Sequence, residues 1–191
     1  MRSAFVKRVT SETKVEVGLE LDGEGICKVN TGVKFLDHMV TQLSVHSFMN
    51  LNLKAEGDLQ HHIVEDVSIT LGEAIKKALN DRKGIKRFGD AIVPMDDALV
   101  LVSLDLVQRP YADIELDLWN GKVEDVTPED IQHFIETFVN SLQFTLHISV
   151  MNGINNHHKV EATFKALALS LRKAWCIEKR RSGPPSSKGK M

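Results

Sequence analysis

The feature that most constrains this chain is a metal-ligand pattern that occurs twice. Residues 61–65 read His-His-Ile-Val-Glu and residues 157–161 read His-His-Lys-Val-Glu, so the histidines and the glutamate repeat at a constant offset. One further histidine precedes each copy at a similar distance, His38 before the first and His133 before the second. A set of ligands that repeats in this way predicts a duplicated fold that holds metal at two related sites.

The hydrophobic pattern repeats together with these ligands. Alternating apolar residues predict strands at 4–9, 14–21, 25–30 and 51–55, and again at 90–94, 99–106, 112–118 and 147–151. Apolar residues at helical spacing predict helices at 33–49, 61–79, 127–144 and 157–178, the third of which starts with Thr127 as N-cap before Pro128. The sequence therefore predicts an α+β fold with two βββαβα half-domains, residues 1–84 and 85–180, whose sheets pack on helices as one compact unit. Residues 181–191 are rich in Gly and Pro and are expected to form a flexible tail or a docking segment.

Composition excludes several classes of protein. The 191 residues are 42% hydrophobic, which is enough for a core, and the formal charge of -2 gives no basic field for nucleic acid. No apolar run is long enough to cross a membrane, and the N-terminus has neither a signal-peptide core nor a transit peptide. The two cysteines, Cys27 and Cys176, form no disulfide framework and are expected to be buried thiols. We expect a soluble cytoplasmic protein.

The spacing inside the repeated motif favours two metal ions. Successive residues of a helix differ in direction by about 100°, so His61 and His62 point to different places, and Glu65 projects between them. In the second copy, Glu161 is expected on the polar face, opposite the packing side. Imidazoles with carboxylates and no thiolate suit a first-row divalent ion. The sequence leaves open which ligands share an ion.

Several stretches resemble one family, imidazoleglycerol-phosphate dehydratase of histidine biosynthesis. They are residues 35–39 (Phe-Leu-Asp-His-Met), 57–58 with 61–66, 87–89 (Arg-Phe-Gly), 94–98 (Pro-Met-Asp-Asp-Ala), 155–161 and 186–189 (Ser-Ser-Lys-Gly). The stretches cover nearly the whole chain and occur in the order typical of the family. The resemblance implies a duplicated unit of the ribosomal protein S5 domain 2-like type, in a 24-subunit homo-oligomer with active sites between subunits. It also implies two manganese ions per subunit, although other first-row divalent ions are compatible.

The resemblance further implies roles for individual residues. The implied metal ligands are His38, His61, His62, Glu65, His133, His157, His158 and Glu161. The implied phosphate-binding residues are Arg87, Arg109, Lys165, Ser186, Ser187 and Lys188. Glu12, Gln42 and His46 match positions near the glycerol hydroxyls of the substrate. Glu12, Glu161 and His46 are the candidate catalytic residues.

The reaction implied by the resemblance is the loss of water from D-erythro-imidazole glycerol phosphate, which gives imidazole acetol phosphate. Metal acting as a Lewis acid favours an imidazolate that expels the adjacent hydroxyl group, while a positioned base removes a proton from carbon. The main alternative is a dimetal phosphate-ester hydrolase, which uses the same ligands to activate water. An RNA-contacting module of the same fold and a metal-storage protein are further alternatives, and the near-neutral charge argues against the first of these.

Overall fold

The computed structural model describes residues 2–119 and 121–189. The last two residues of the predicted tail, Lys190 and Met191, therefore lie outside the described residues. The first half contains β1 (Ser3–Val9), β2 (Thr13–Glu20), β3 (Cys27–Asn30), α1 (Lys34–Ser47), β4 (Asn50–Gly57) and α2 (Gln60–Leu79). The second half contains β5 (Phe88–Met95), β6 (Ala98–Asp105), β7 (Tyr111–Glu115), α3 (Pro128–Leu142), β8 (Thr145–Asn152) and α4 (Asn156–Trp175). The predicted α+β fold with two βββαβα halves is confirmed.

Each half forms its own mixed four-stranded sheet. The strand order is β1-β2-β4-β3 in one sheet and β5-β6-β8-β7 in the other. The last pair of each sheet is parallel and the other pairs are antiparallel. In β2, Val15, Val17 and Leu19 are buried and alternate with more exposed residues, as expected of a strand with one face on the core.

The four helices lie between the two sheets and pair across the halves. Helix α2 packs on the first sheet and against α3, while α4 packs on the second sheet and against α1. One hydrophobic core therefore spans both halves, and Leu71 and Phe138 are completely buried in it. This crosswise pairing brings residues of the first half next to residues of the second half.

Local capping explains where two of these helices begin. The side chain of Thr127 accepts a hydrogen bond from the Asp130 backbone N–H, with Pro128 at the first turn, as the sequence predicts for α3. At α4, the side chain of Asn155 accepts from the backbone N–H groups of His157 and His158. The capping residue thus fixes the start of the helix that carries the second ligand motif.

Several predicted ends are wrong, because tertiary contacts decide them. The helix predicted to reach residue 178 ends at Trp175, since the Cys176 carbonyl accepts a hydrogen bond from the Lys86 N–H instead of continuing the helix. The prediction that both cysteines are buried is also wrong: Cys176 is exposed beyond the helix end, and Cys27 is only partly buried. The strand predicted at 112–118 ends at Glu115, where its pairing with β8 stops.

The segment after α4 folds back along the start of β5. Residues 181–189 contain no helix or strand, but the Gly84 N–H donates to the Gly183 carbonyl, and Pro185 is buried. The side chain of Arg87 donates to the Pro185 carbonyl at 2.9 Å. Within the described residues, no helix is both long and apolar enough to cross a membrane.

Candidate metal centre and substrate site

The first candidate metal centre lies where α1 crosses α4. His38 Nε2 and His157 Nε2 lie 3.2 and 3.1 Å from the same oxygen of Glu161, Oε2. The other oxygen of Glu161 pairs with Lys165 Nζ at 2.8 Å. Two imidazole nitrogens and one carboxylate oxygen therefore converge on one point, which is the arrangement that a divalent ion requires.

The second candidate centre lies where α2 crosses α3. The rings of His61 and His133 stack with their centroids 5.1 Å apart. His133 Nε2 lies 3.8 Å from Glu65 Oε1. One ligand atom from each of these three residues lies within 4.8 Å of the others, so this set matches the first in composition.

Each centre takes its residues from both halves of the chain. The motif helix of the second half supplies His157 and Glu161, and the first half supplies His38. The motif helix of the first half supplies His61 and Glu65, and the second half supplies His133. Sequence reasoning left this division open, because His38 precedes the first motif by about the same distance as His133 precedes the second. The crosswise packing of the helices decides it.

The four histidines of the two motifs share a further property. Each has its Nδ1 atom within hydrogen-bond distance of a carboxylate oxygen, which leaves Nε2 directed elsewhere. The pairs are His61 with Asp130 at 2.7 Å, His62 with Asp58 at 2.8 Å, His157 with Glu124 at 3.0 Å, and His158 with Asp97 at 2.5 Å. Histidines that bind metal usually donate their other ring N–H to such a carboxylate, which fixes the tautomer and the ring orientation.

His62 and His158 lie outside the two triads. The prediction that adjacent histidines point to different places agrees with this geometry, and the carboxylate of Glu65 joins the His61 side. His62 Nδ1 lies 3.8 Å from Glu12 in the β1–β2 turn, and His158 Nε2 lies 3.4 Å from Asp96 in the β5–β6 turn. The two turns therefore occupy corresponding places beside the two motifs.

Hydrogen bonds around the motif histidines shift the pKa values of three groups, Glu161, Asp97 and His62. Burial raises the pKa of Glu161, but hydrogen bonds from Lys165 and His38 outweigh this effect and hold the pKa at about 2. The hydrogen bond from His158 holds the pKa of Asp97 well below its usual range, and the hydrogen bond to Asp58 raises the pKa of His62. Glu161 lies on the same face as His157 and Lys165, as expected, but α1 covers that face with His38, and only 7% of the Glu161 side chain is exposed.

The residues present fit a metal ion. Within residues 2–119 and 121–189, His133 Nε2 is buried without a hydrogen-bond partner, which is costly unless a ligand satisfies it. Both triads offer nitrogen and oxygen donors without a thiolate, the set that suits a first-row divalent ion such as manganese.

Gln42, His46 and Lys165 lie close to the first triad. His46 Nε2 lies 3.0 Å from Gln42 Oε1, one turn earlier on α1. Burial and the nearby charge of Lys165 lower the pKa of His46, while Glu161 opposes this effect. Gln42, His46 and Lys165 therefore line the neighbourhood of Glu161, whereas Glu12 lies beside His62. A cavity of about 480 Å³ opens beside the triad, lined by Lys34, Phe35, His38, Glu124, Asp125 and His157.

The other predicted phosphate ligands surround a second cavity, of about 360 Å³. It is lined by Arg87, Val107, Gln108, Arg109, Ser186, Ser187 and Lys188. The guanidinium group of Arg87 makes two hydrogen bonds to Asp105, which raises its pKa, and a third to the Pro185 carbonyl. Arg87 therefore both contributes charge and holds the tail in place, and two of its five N–H donors remain for a ligand.

The two cavities lie at opposite ends of α4. His157 is near the start of this helix, while the Arg87 N–H donates to the carbonyl of Ala174 near its end at 2.8 Å. At the rise of an α-helix, this span of α4 is about 25 Å. Lys165 lies between the ends and pairs with Glu161, so it does not line the Arg87 cavity of its own chain.

The carboxylates that anchor the histidines are the functional residues that sequence reasoning missed. Asp58 had a local signal, since it precedes His62 by one helical turn. Asp97 lies in one of the stretches that carry the family resemblance, but the sequence assigns it no role. Glu124 and Asp130 carried no signal, because they contact histidines on other elements that are distant in sequence.

Comparison with known proteins connects this geometry to one family. Residues 31–171 match the family model described as imidazoleglycerol-phosphate dehydratase. A protein of that name from Nostoc sp. is 48% identical over 98% of this chain and 92% of its own length, and one from Methanothermobacter thermautotrophicus is 48% identical over 100% and 98%. The crystal structure of IGPD from Pyrococcus furiosus in complex with (S)-C348 superposes with a TM-score of 0.85, at 37% identity over 97% of this chain and 100% of that one.

Proposed function

The chain belongs to the imidazoleglycerol-phosphate dehydratase family, and from this premise we propose a manganese-dependent mechanism in which both triads hold metal. Its activity is the dehydration of imidazoleglycerol phosphate in histidine biosynthesis, and this takes the place of the hydrolase, RNA-binding and storage alternatives. Beyond this activity, we propose which metal is bound, which residues bind it, and how the substrate is converted to imidazole acetol phosphate.

The observation that carries the proposal is the shared arrangement of the four motif histidines. All four have Nδ1 anchored by a carboxylate, which directs Nε2 toward a ligand. We assign two ions per subunit, and the residues that would hold them are His38, His61, His62, Glu65, His133, His157, His158 and Glu161. When bound there, manganese would supply Lewis acidity, which would favour deprotonation of the substrate ring and the loss of the adjacent hydroxyl group.

The chain's own residues handle the protons and the orientation of the substrate. Glu161 is ionised and already shared between two imidazoles, so its main role is that of a ligand. Glu12 lies in an exposed turn beside His62, where its carboxylate is free to take the proton from carbon. Gln42 and His46 form a hydrogen-bonded pair that orients the hydroxyl groups of the substrate, and the imidazole ring of His46 exchanges a proton with the substrate.

The phosphate end of the substrate binds at the cavity formed by Arg87, Arg109 and the tail residues Ser186, Ser187 and Lys188. A three-carbon phosphate attached to an imidazole ring is far shorter than the length of α4 that separates this cavity from the first triad. One substrate molecule therefore contacts the triad of one chain and the phosphate cavity of another, with Lys165 near the metal end.

This separation supports an oligomer with sites between subunits, and we propose the 24-subunit assembly. We also propose a cytoplasmic location, since Cys27 and Cys176 are free thiols, as expected in a reducing compartment.

The test is an activity assay on protein stripped of metal with a chelator and then reloaded with manganese. We expect the keto product from imidazoleglycerol phosphate only after reloading, with no release of inorganic phosphate. Product formed at full rate by the stripped protein would contradict the metal requirement. Full activity and full manganese content in His62→Ala would contradict the ligand assignment.

A further inference from the structure

One short segment, residues 123–130, which leads into α3 and forms its first turn, reaches both candidate metal centres. Glu124, near its start, places Oε1 3.0 Å from Nδ1 of His157 in the first triad. Asp130, in the first turn of α3, places Oδ1 2.7 Å from Nδ1 of His61 in the second triad. The other two motif histidines are anchored from separate places, the loop before α2 and the β5–β6 turn.

The segment is fixed to the helices that carry the ligands. The carboxylate of Asp125 accepts hydrogen bonds from the backbone N–H groups of Lys34 and Phe35, so it caps α1, the helix of His38. The carbonyl of Asp125 accepts from the side chain of Gln60, directly before His61. The segment is therefore attached to both centres by bonds that do not involve the histidines.

The conformation of Glu124 points to a role for its carboxylate. Its φ is 57°, in the left-handed region that residues with a Cβ rarely adopt because of steric strain. Its side chain is 59% exposed, so packing does not explain a glutamate at this position. The Glu124 carboxylate instead makes a hydrogen bond with His157.

We propose that Glu124 and Asp130 are positioning residues that set the tautomer and orientation of His157 and His61 for metal binding, each acting on one centre. This inference rests on the proposed two-metal function and deepens it. A carboxylate at Nδ1 keeps the proton on that nitrogen, which leaves the Nε2 lone pair for the ion and makes the ring a stronger ligand. Asp130 is only 12% exposed, so solvent screens its effect less than that of Glu124.

The experiment measures manganese binding to the metal-stripped full-length protein, from the loss of the electron paramagnetic resonance signal of the free ion. The variants are Glu124→Gln, Glu124→Gly and Asp130→Asn, with Glu129→Gln as matched control. Glu129 is an exposed carboxylate in the same segment, one residue before Asp130. Thermal unfolding of each stripped protein is recorded in parallel.

We expect Glu124→Gly to weaken binding at one centre about tenfold and Asp130→Asn to weaken the other by between about tenfold and a hundredfold. Glu124→Gln keeps an acceptor oxygen, so its loss should be smaller than that of Glu124→Gly. Because glycine relieves the strained φ, Glu124→Gly should also melt no lower than the parent, and a merely structural residue would not separate stability from affinity in this way. Unchanged affinity in Glu124→Gly and Asp130→Asn, or an equal loss in Glu129→Gln, would overturn the proposal.

A second background separates this inference from the proposed function. In His38→Ala, which removes a ligand of the first triad, Glu124→Gly should have little further effect, whereas Asp130→Asn should retain its full effect. Equal effects of both substitutions in this background would overturn the assignment of one anchor to each centre. If His38→Ala and His61→Ala themselves leave manganese binding unchanged, it is the proposed metal function that fails.

Discussion

The contact between β5 and α4 should make Gly89→Ala strongly destabilising. A Cβ atom on Gly89 would lie 1.8 Å from the carbonyl oxygen of Ser170 and 3.1 Å from Cβ of Ala174. Carbon and oxygen ordinarily approach no closer than about 3.3 Å, so the strand and the helix must separate by about 1.5 Å. The carbonyl group of Ser170 belongs to the backbone of α4 and cannot rotate away. Overpacking in a core costs 1–3 kcal/mol, and we place this substitution at the upper end, about 3 kcal/mol.

Gly18 provides a matched control for this prediction. It lies in β2, a strand of the other sheet. Among residues 2–119 and 121–189, a Cβ there would meet only the ring of Phe5, at 3.6 Å, which is an ordinary contact. Gly18→Ala should therefore leave the free energy of unfolding unchanged or raise it by up to about 1 kcal/mol, through the loss of freedom in the unfolded chain.

The assay is urea unfolding of both variants and the parent, after chelation and at one protein concentration, because assembly and metal both shift the apparent stability. A loss of less than about 1 kcal/mol in Gly89→Ala would refute the reasoning, as would equal losses in the two variants. Since Arg87 lies two residues before Gly89, the same substitution should also weaken substrate binding at the Arg87 cavity.

Three further predictions follow from single contacts. Truncation after Gly183 should raise the apparent KM without unfolding the body, as steady-state kinetics and circular dichroism would show; an unchanged KM would remove the tail from the site. Arg82 is completely buried and donates to the carbonyls of Leu106, Leu142 and Gln143, so Arg82→Ala should cost about 3–5 kcal/mol in urea unfolding, and a cost below about 1 kcal/mol would contradict this. The folded pKa of Glu161, about 2, lies below its ordinary value of 4.5, so its ionised form stabilises the fold above pH 4.5 and this contribution disappears as the pH falls toward 2. The stability difference between the stripped parent and Glu161→Gln should shrink over that range, and a difference independent of pH would argue against the shift.

Much of the fold follows from local patterns in the sequence. The strands alternate because one face of each sheet is buried, and Thr127 with Pro128 starts α3 through contacts within one turn. Helix α1 shows the limit of this reasoning. Val33 at its N-cap offers no side-chain hydrogen bond, and the cap comes from Asp125 in the other half.

The sequence by itself determined the duplicated architecture and the family, and it indicated the residue types of the candidate metal centres, because a repeated motif on an amphipathic helix is a local property. The tertiary structure alone decided which residues share a centre, since the helices pair across the halves and carry His38 to Glu161 and His133 to Glu65. It also decided that Glu161 is buried, that Glu124 and Asp130 contact the histidines, and that the Arg87 cavity lies at the far end of α4. The physical reason is that packing joins residues far apart in the chain, and periodicity carries no record of such contacts.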